Sequence, residues 1–115
     1  MTLRFREPRE KDDAYLRKVR RLPCVVCGDD TTTEAAHVRY ADRTVAKRQT
    51  GMAEKPDDKY ALPVCGECHR EQHSGNEFEY WHKKRIDPVK TSLALYVNQD
   101  DPEVCLVICA NARMP

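Results

Sequence analysis

The 115-residue sequence predicts a single α+β domain, with a small core of two short strands and a helix and with further helices around it. Three observations predict this. Two Cys-x-x-Cys pairs, Cys24/Cys27 and Cys65/Cys68, stand far apart in the chain. One short β-type run lies between the pairs, and a second leads directly into the later pair. Asp87-Pro88 and Asp101-Pro102 each open an apolar run. An N-capping aspartate with proline in the first turn is a helix start.

Composition fits a small core that needs a staple. Charged residues make up 34% of the chain, and a domain this short buries a modest fraction of its surface. A bound metal compensates for that. No apolar stretch approaches the roughly 20 residues that span a bilayer. Residues 1–9 contain no apolar signal region. The expectation is therefore a cytoplasmic protein without membrane association, whose six cysteines stay reduced. Reduced cysteines read as metal ligands or free thiols.

The net charge of +1 hides local contrasts. Residues 1–22 carry eight Arg and Lys against four acids, and residues 38–55 carry five against two. The run His82-Lys83-Lys84-Arg85 is basic again. Such patches bind phosphates locally, although on charge alone solvated helix faces are the plainer reading.

In chain order, residues 1–10 read as a loose basic arm, 11–87 as the metal-braced core, and 88–115 as C-terminal helices. A first helix is expected over 11–21, with Ala14, Tyr15, Leu16 and Val19 on its apolar side. Asp12 and Asp13 suit its N-terminus, and Pro23 stops it. Leu22 to Gly28 then forms a knuckle, with Gly28 free to take a positive φ. Residues 33–40 read as a strand, 41–59 as a polar loop, and Tyr60–Val64 as a second strand. A helix carrying His69, Arg70 and His73 starts at the second knuckle, and Gly75 stops it. A short helix over 77–85 contains Phe78 and Trp81, whose rings can stack on bases, with core packing the simpler role for both. Beyond it, Leu93, Leu95, Tyr96, Val97, Val104, Leu106, Val107 and Ile108 are expected to pack the core.

Each Cys-x-x-Cys pair brings two thiolates within reach of one ion, and two pairs complete a tetrahedral zinc site. Cys24, Cys27, Cys65 and Cys68 are therefore the expected ligands of a structural Zn²⁺. The gap between the pairs exceeds what a simple ribbon needs, so the functional residues are sought there. Cys105 and Cys109 stand in an apolar helical run and read as buried small hydrophobes. His69 and His73, four apart on a helix, share a face and can hold one metal. His37 stands on the first strand, and a hairpin under the helix would bring it near that pair. Two residues further along the strand, Arg39 faces the same side and can hold a phosphate. Lys55 and Arg70 are weaker candidates for that role. His82, beside Trp81, reads as surface or packing.

The pattern Cys24-x-x-Cys27, Ala36-His37-Val38-Arg39, then Leu62-Pro63-Val64-Cys65-x-x-Cys68-His69-x-x-x-His73 resembles the zinc-braced HNH endonucleases, also called ββα-metal or His-Me finger nucleases. More narrowly, the chain resembles phage and prophage members related to a nuclease that cuts DNA at RecA-coated sites. The resemblance covers about residues 13–97, and Gly51-Met52-x-x-Lys55-Pro56-Asp57-Asp58 belongs to it. It implies a ββα-metal core and a DNA endonuclease. It implies His37 as general base, and His69 and His73 as ligands of a catalytic Mg²⁺, Mn²⁺ or Zn²⁺. DNA is the implied partner, with a recombinase filament or phage protein beside it. Two positions depart from the pattern. Ala36 stands where many members have Asp or His, and Tyr60 stands near the usual place of the Asn that orients the base. Asp58 offers a carboxylate to His37 Nδ1 instead. Those departures keep a second reading open, a catalytically silent zinc module that binds DNA or protein.

Overall fold

The computed structural model describes residues 10–45, 47–50 and 56–113. Apart from Glu10, the expected basic arm lies outside these residues, as do Gly51, Met52 and Lys55. The described chain is α+β, with five α-helices and a two-stranded antiparallel sheet. In order these are α1 (Asp13–Val19), β1 (Thr33–His37), β2 (Ala61–Cys65), α2 (Gly66–His73), α3 (Glu77–Lys84), α4 (Pro88–Val97) and α5 (Pro102–Arg113). Short 3₁₀ turns at Arg43–Val45 and Asp58–Tyr60 punctuate the expected loop. None of the helices is long and apolar enough to cross a membrane.

The caps are those the sequence signalled. Asp12 accepts a hydrogen bond from Tyr15 N at the start of α1, and Asp87 accepts from Lys90 N at the start of α4. Between them, α1 buries Tyr15, Leu16 and Val19, while Ala14 is exposed, contrary to the expected apolar side. A seven-residue helix has a narrow inward stripe, and Ala14 falls outside it. α1 also ends before Pro23, at Val19, and a turn carries the chain to the knuckle. β1 stops at His37, short of the expected residue 40.

The hairpin forms the centre. Thr33 pairs with Cys65, and His37 pairs with Ala61. All five β2 residues are buried, which explains why that strand reads as an unbroken apolar run. Pro63 has no N–H to give, but its carbonyl accepts from Val25 N at 3.0 Å and so ties the first knuckle to the sheet. Tyr15 of α1 reaches over the sheet to donate its hydroxyl to the carbonyls of Ala61 and Ser92.

α5 corrects one expectation. Val104, Leu106 and Val107 are 36%, 49% and 57% exposed, and on α4 Val97 is 80% exposed. The inward positions of α5 are taken by Cys105 and Cys109. The cysteines do behave as buried small hydrophobes.

Lys47 anchors the loop between the strands. Its ammonium is buried, donates to the carbonyls of Tyr40 (2.7 Å) and Arg48 (3.3 Å), and lies 5.1 Å from the centre of the Tyr60 ring. Burial lowers its pKa from 10.5 to about 8. Between those values the unfolded chain holds more protons on this lysine than the folded chain does. The native state therefore gains stability as pH rises through that window, and loses the gain as pH falls back. Urea midpoints measured near neutrality and near pH 10 should diverge between wild type and Lys47→Met. We expect wild type to gain on the order of 1–2 kcal/mol relative to the variant at the higher pH. A difference between the two that does not change with pH would show that Lys47 keeps its charge at no cost.

Candidate functional site

The four cysteines of the two knuckles converge. Their sulfurs all lie within 4.8 Å of one another, and Cys24, Cys65 and Cys68 are buried while Cys27 is exposed. Local backbone builds each pair. Gly28 closes the first knuckle at φ +85, with its N–H on the Cys24 carbonyl at 2.9 Å. The Cys24 sulfur accepts from Val26 N (3.3 Å) and Cys27 N (3.5 Å). The second pair spans a strand end and a helix start. Cys65 is the N-cap of α2, and its sulfur accepts from Cys68 N at 3.4 Å.

The donor set fits a zinc ion. A tetrahedral Zn–S₄ site places sulfurs about 3.8 Å apart, and Cys27 Sγ lies 3.6 Å from Cys65 Sγ. The thiols are electrostatically unlike. Burial works to raise Cys24, but backbone donors outweigh it and leave this thiol below its ordinary pKa. Burial and the neighbouring sulfurs push Cys68 well above its ordinary value. Four thiolates this close repel one another, and a divalent cation is what allows all four to ionise.

The second group is built on α2 and β1. His69 and His73 face each other one turn apart, with their Nε2 atoms 2.9 Å apart and their ring centres 4.7 Å apart. That 2.9 Å contact is a hydrogen bond between the two rings, and it also falls within the about 2.9–3.4 Å that separates the nitrogens of two imidazoles on one metal. Glu34 of β1 holds His69 from behind, with its Oε1 2.7 Å from Nδ1. That contact puts the proton on Nδ1 and the lone pair on Nε2, the usual second-sphere support of a metal-binding histidine. His73 lies below its ordinary pKa, chiefly through burial and then through the charges of His69 and Arg39, opposed by Glu77. Arg39 is thereby placed within electrostatic reach of His73, and its backbone N–H donates to Glu77 at 3.0 Å. Arg70 is exposed, and its guanidinium lies with the Glu34 carboxylate over Gly66.

His37 pairs with Asp58, as the sequence suggested, but through the other nitrogen. Nε2, not Nδ1, lies 2.9 Å from Asp58 Oδ1. Asp58 is 1% exposed, and its second oxygen accepts from Asp12 N at 2.6 Å. The carboxylate is thus fixed between the end of β1 and the start of α1. Among the described residues, the four cysteines are the only group of three or more side chains poised to hold a metal. His37 is accordingly no third ligand to the His69/His73 pair, and Ala36, fully buried, offers none.

Sequence reasoning missed Glu34. Its partnership with His69 depends on how α2 folds back over the strand, and no local motif announces that. It also underrated Phe78 as a surface group. Phe78 is 56% exposed, while Trp81 is buried. His82 is exposed and stacks on Phe78, with ring centres 6.0 Å apart and planes 12° apart.

A protein-family profile described as "Protein of unknown function (DUF968)" matches residues 2–99. No curated protein and no solved structure matches the chain.

Proposed function

For this chain, which belongs to the DUF968 family, we propose the activity of a metal-dependent DNA endonuclease braced by a structural zinc ion. The HNH resemblance supplies the reaction class, and phage or prophage origin, with action beside a recombinase filament, is part of the same proposal. The observation that carries the reading is the His69/His73 pair, with its nitrogens at chelating distance and Glu34 behind it.

In this reading Cys24, Cys27, Cys65 and Cys68 hold the structural zinc, while His69 and His73 hold a second divalent ion, Mg²⁺, Mn²⁺ or Zn²⁺. When bound there, that ion supplies Lewis-acid stabilisation of the phosphate and of the leaving 3′ oxygen. The rest is done by the chain. Asp58 accepts the Nε2 proton of His37 in its hydrogen bond, so the lone pair sits on Nδ1. That nitrogen takes a proton from the attacking water. Because Asp58 is itself fixed by Asp12 N, the ring is held in one orientation. Arg39 contributes positive charge for the phosphate.

The test is nicking of supercoiled plasmid with added Mg²⁺, Mn²⁺, Zn²⁺ or EDTA. We expect cleavage that requires added metal, and loss of at least about tenfold in metal affinity for His69→Ala and His73→Ala. Glu34→Gln should weaken metal binding by a smaller factor, because it removes support and leaves the ligands. Metal-independent cleavage, or none under any metal either alone or with a recombinase filament on the DNA, would refute the reading. One observation favours the alternative of a catalytically silent zinc module that binds DNA. Ala36 leaves the imidazole pair without the strand ligand that many HNH enzymes carry.

A further inference from the structure

A cleft of about 590 Å³ opens beside α3, apart from both metal-binding groups. Tyr40 and Arg43 form one wall, and Phe78, Trp81, His82 and Arg85 form the other. We propose that this cleft takes one unpaired nucleotide of a DNA strand, with the base stacked on Phe78 and the flanking phosphates held by Arg43 and Arg85. The inference rests on the nuclease reading and adds the strand state of the substrate.

Four observations carry it. Phe78 is the large aromatic that α3 leaves exposed, and it is held in a fixed pose between His82, parallel to it, and Tyr40, edge-on at 5.3 Å. An exposed ring with a clamped orientation is a stacking platform, and every base has a face to place on it. Arg85 is the C-cap of α3 at φ +59, the one non-glycine residue of the described chain in the left-handed region. Glycine is the residue that fits such a cap without strain, so an arginine in that position at a cleft rim points to its side chain. The facing wall is prebuilt. Asp42 and Lys47 exchange backbone hydrogen bonds at 2.9 Å in both directions, and Lys47 grips the Tyr40 carbonyl. Finally, Arg43 and Arg85 both line the cleft, where they balance the charges of Asp42 and Asp87. Those carboxylates are held in their own loops by Thr44 and by Lys90 N, so the phosphate contacts rest on where the guanidiniums sit and not on net charge. A base inside a duplex is stacked on its neighbours and cannot reach such a platform, whereas an unpaired base can.

The test uses the full chain with its zinc and no added divalent cation, so that binding is read without cleavage. The probe is a fluorescein-labelled mixed-sequence strand of roughly 15 nucleotides, alone or annealed to its complement. Phe78→Ala should weaken single-strand binding by about 5- to 150-fold, and Phe78→Tyr should restore it. Duplex binding should change by less than about twofold in both. Arg85→Gly should weaken single-strand binding while leaving thermal stability equal or higher, because it removes the cation and relaxes the backbone. Equal single-strand affinity in Phe78→Ala and wild type overturns the proposal. So does an equal loss for duplex and single strand. A chain that binds single strands through Phe78 yet cuts nothing sinks the nuclease reading alone. A chain that cuts plasmid and binds single strands equally well without Phe78 sinks this inference alone.

Discussion

Replacing Cys65 with serine is expected to unfold the domain. Cys65 ends β2 opposite Thr33, caps α2 through its sulfur, and lies 3.6 Å from Cys27 across the gap between the knuckles. One substitution therefore loosens the sheet, the helix start and the metal site together. A structural zinc contributes about 10–16 kcal/mol to folding in small zinc-finger peptides at neutral pH. The net stability of a whole domain is about 5–15 kcal/mol, so loss of the ion is enough to remove the native state. Zinc content, far-ultraviolet circular dichroism and thermal melting should report the loss together, and prolonged chelation of wild type should reproduce it. Cys105→Ser is the matched control, since Cys105 is buried outside the cluster. It should keep its zinc and lose only about 1–3 kcal/mol for burying a hydroxyl. A Cys65→Ser protein that melts like wild type would remove the zinc brace from the account.

The second large effect falls on the chemistry. His37→Ala should lower the rate of metal-dependent nicking by about 10²- to 10⁴-fold, the usual contribution of a positioned general base. The fold should survive with a modest loss of stability, because the largely buried imidazole lies at the end of its strand and Asp58 keeps its bond from Asp12 N. Asp58 behaves differently. It is buried and accepts from both His37 and Asp12 N. Asp58→Ala should slow cleavage and also cost stability, about 1–3 kcal/mol for leaving a buried donor without its partner. The two variants are separated by measuring nicking rates and urea midpoints on the same preparations. Nicking that persists at the wild-type rate in His37→Ala would reassign the proton to another group.

The elements were legible wherever the signal was local. Asp87-Pro88 and Asp101-Pro102 mark the starts of α4 and α5, and the apolar run before Cys65 is β2. The knuckles were legible because thiol spacing and Gly28 leave few alternatives. Boundaries were less so, as Val19 and His37 show. There the chain leaves its regular element early to meet a tertiary partner, Pro63 for the first knuckle and Asp58 for His37. The inside and outside of α5 were misjudged because Val104, Leu106 and Val107 read as core by type, while burial was decided by which stripe faces α4. Glu34 and Arg85 were invisible for a related reason. A carboxylate on a strand and an arginine after a helix acquire meaning only from a helix that folds back and from a backbone angle.

Arg113 lies at the end of α5, and its guanidinium donates to the Cys24 carbonyl at 3.0 Å, packing over Gly28 as well. The last helix is thus latched onto the first knuckle, 89 residues earlier. During synthesis all four thiols are in the chain once Cys68 is made, and Arg113 is added 45 residues later. At about 5–20 residues per second that interval lasts about 2–9 s. The nascent chain therefore passes through a stage in which the cysteines can meet and the latch does not yet exist. Metal capture has its widest access then, and the arrival of α5 closes that window behind it.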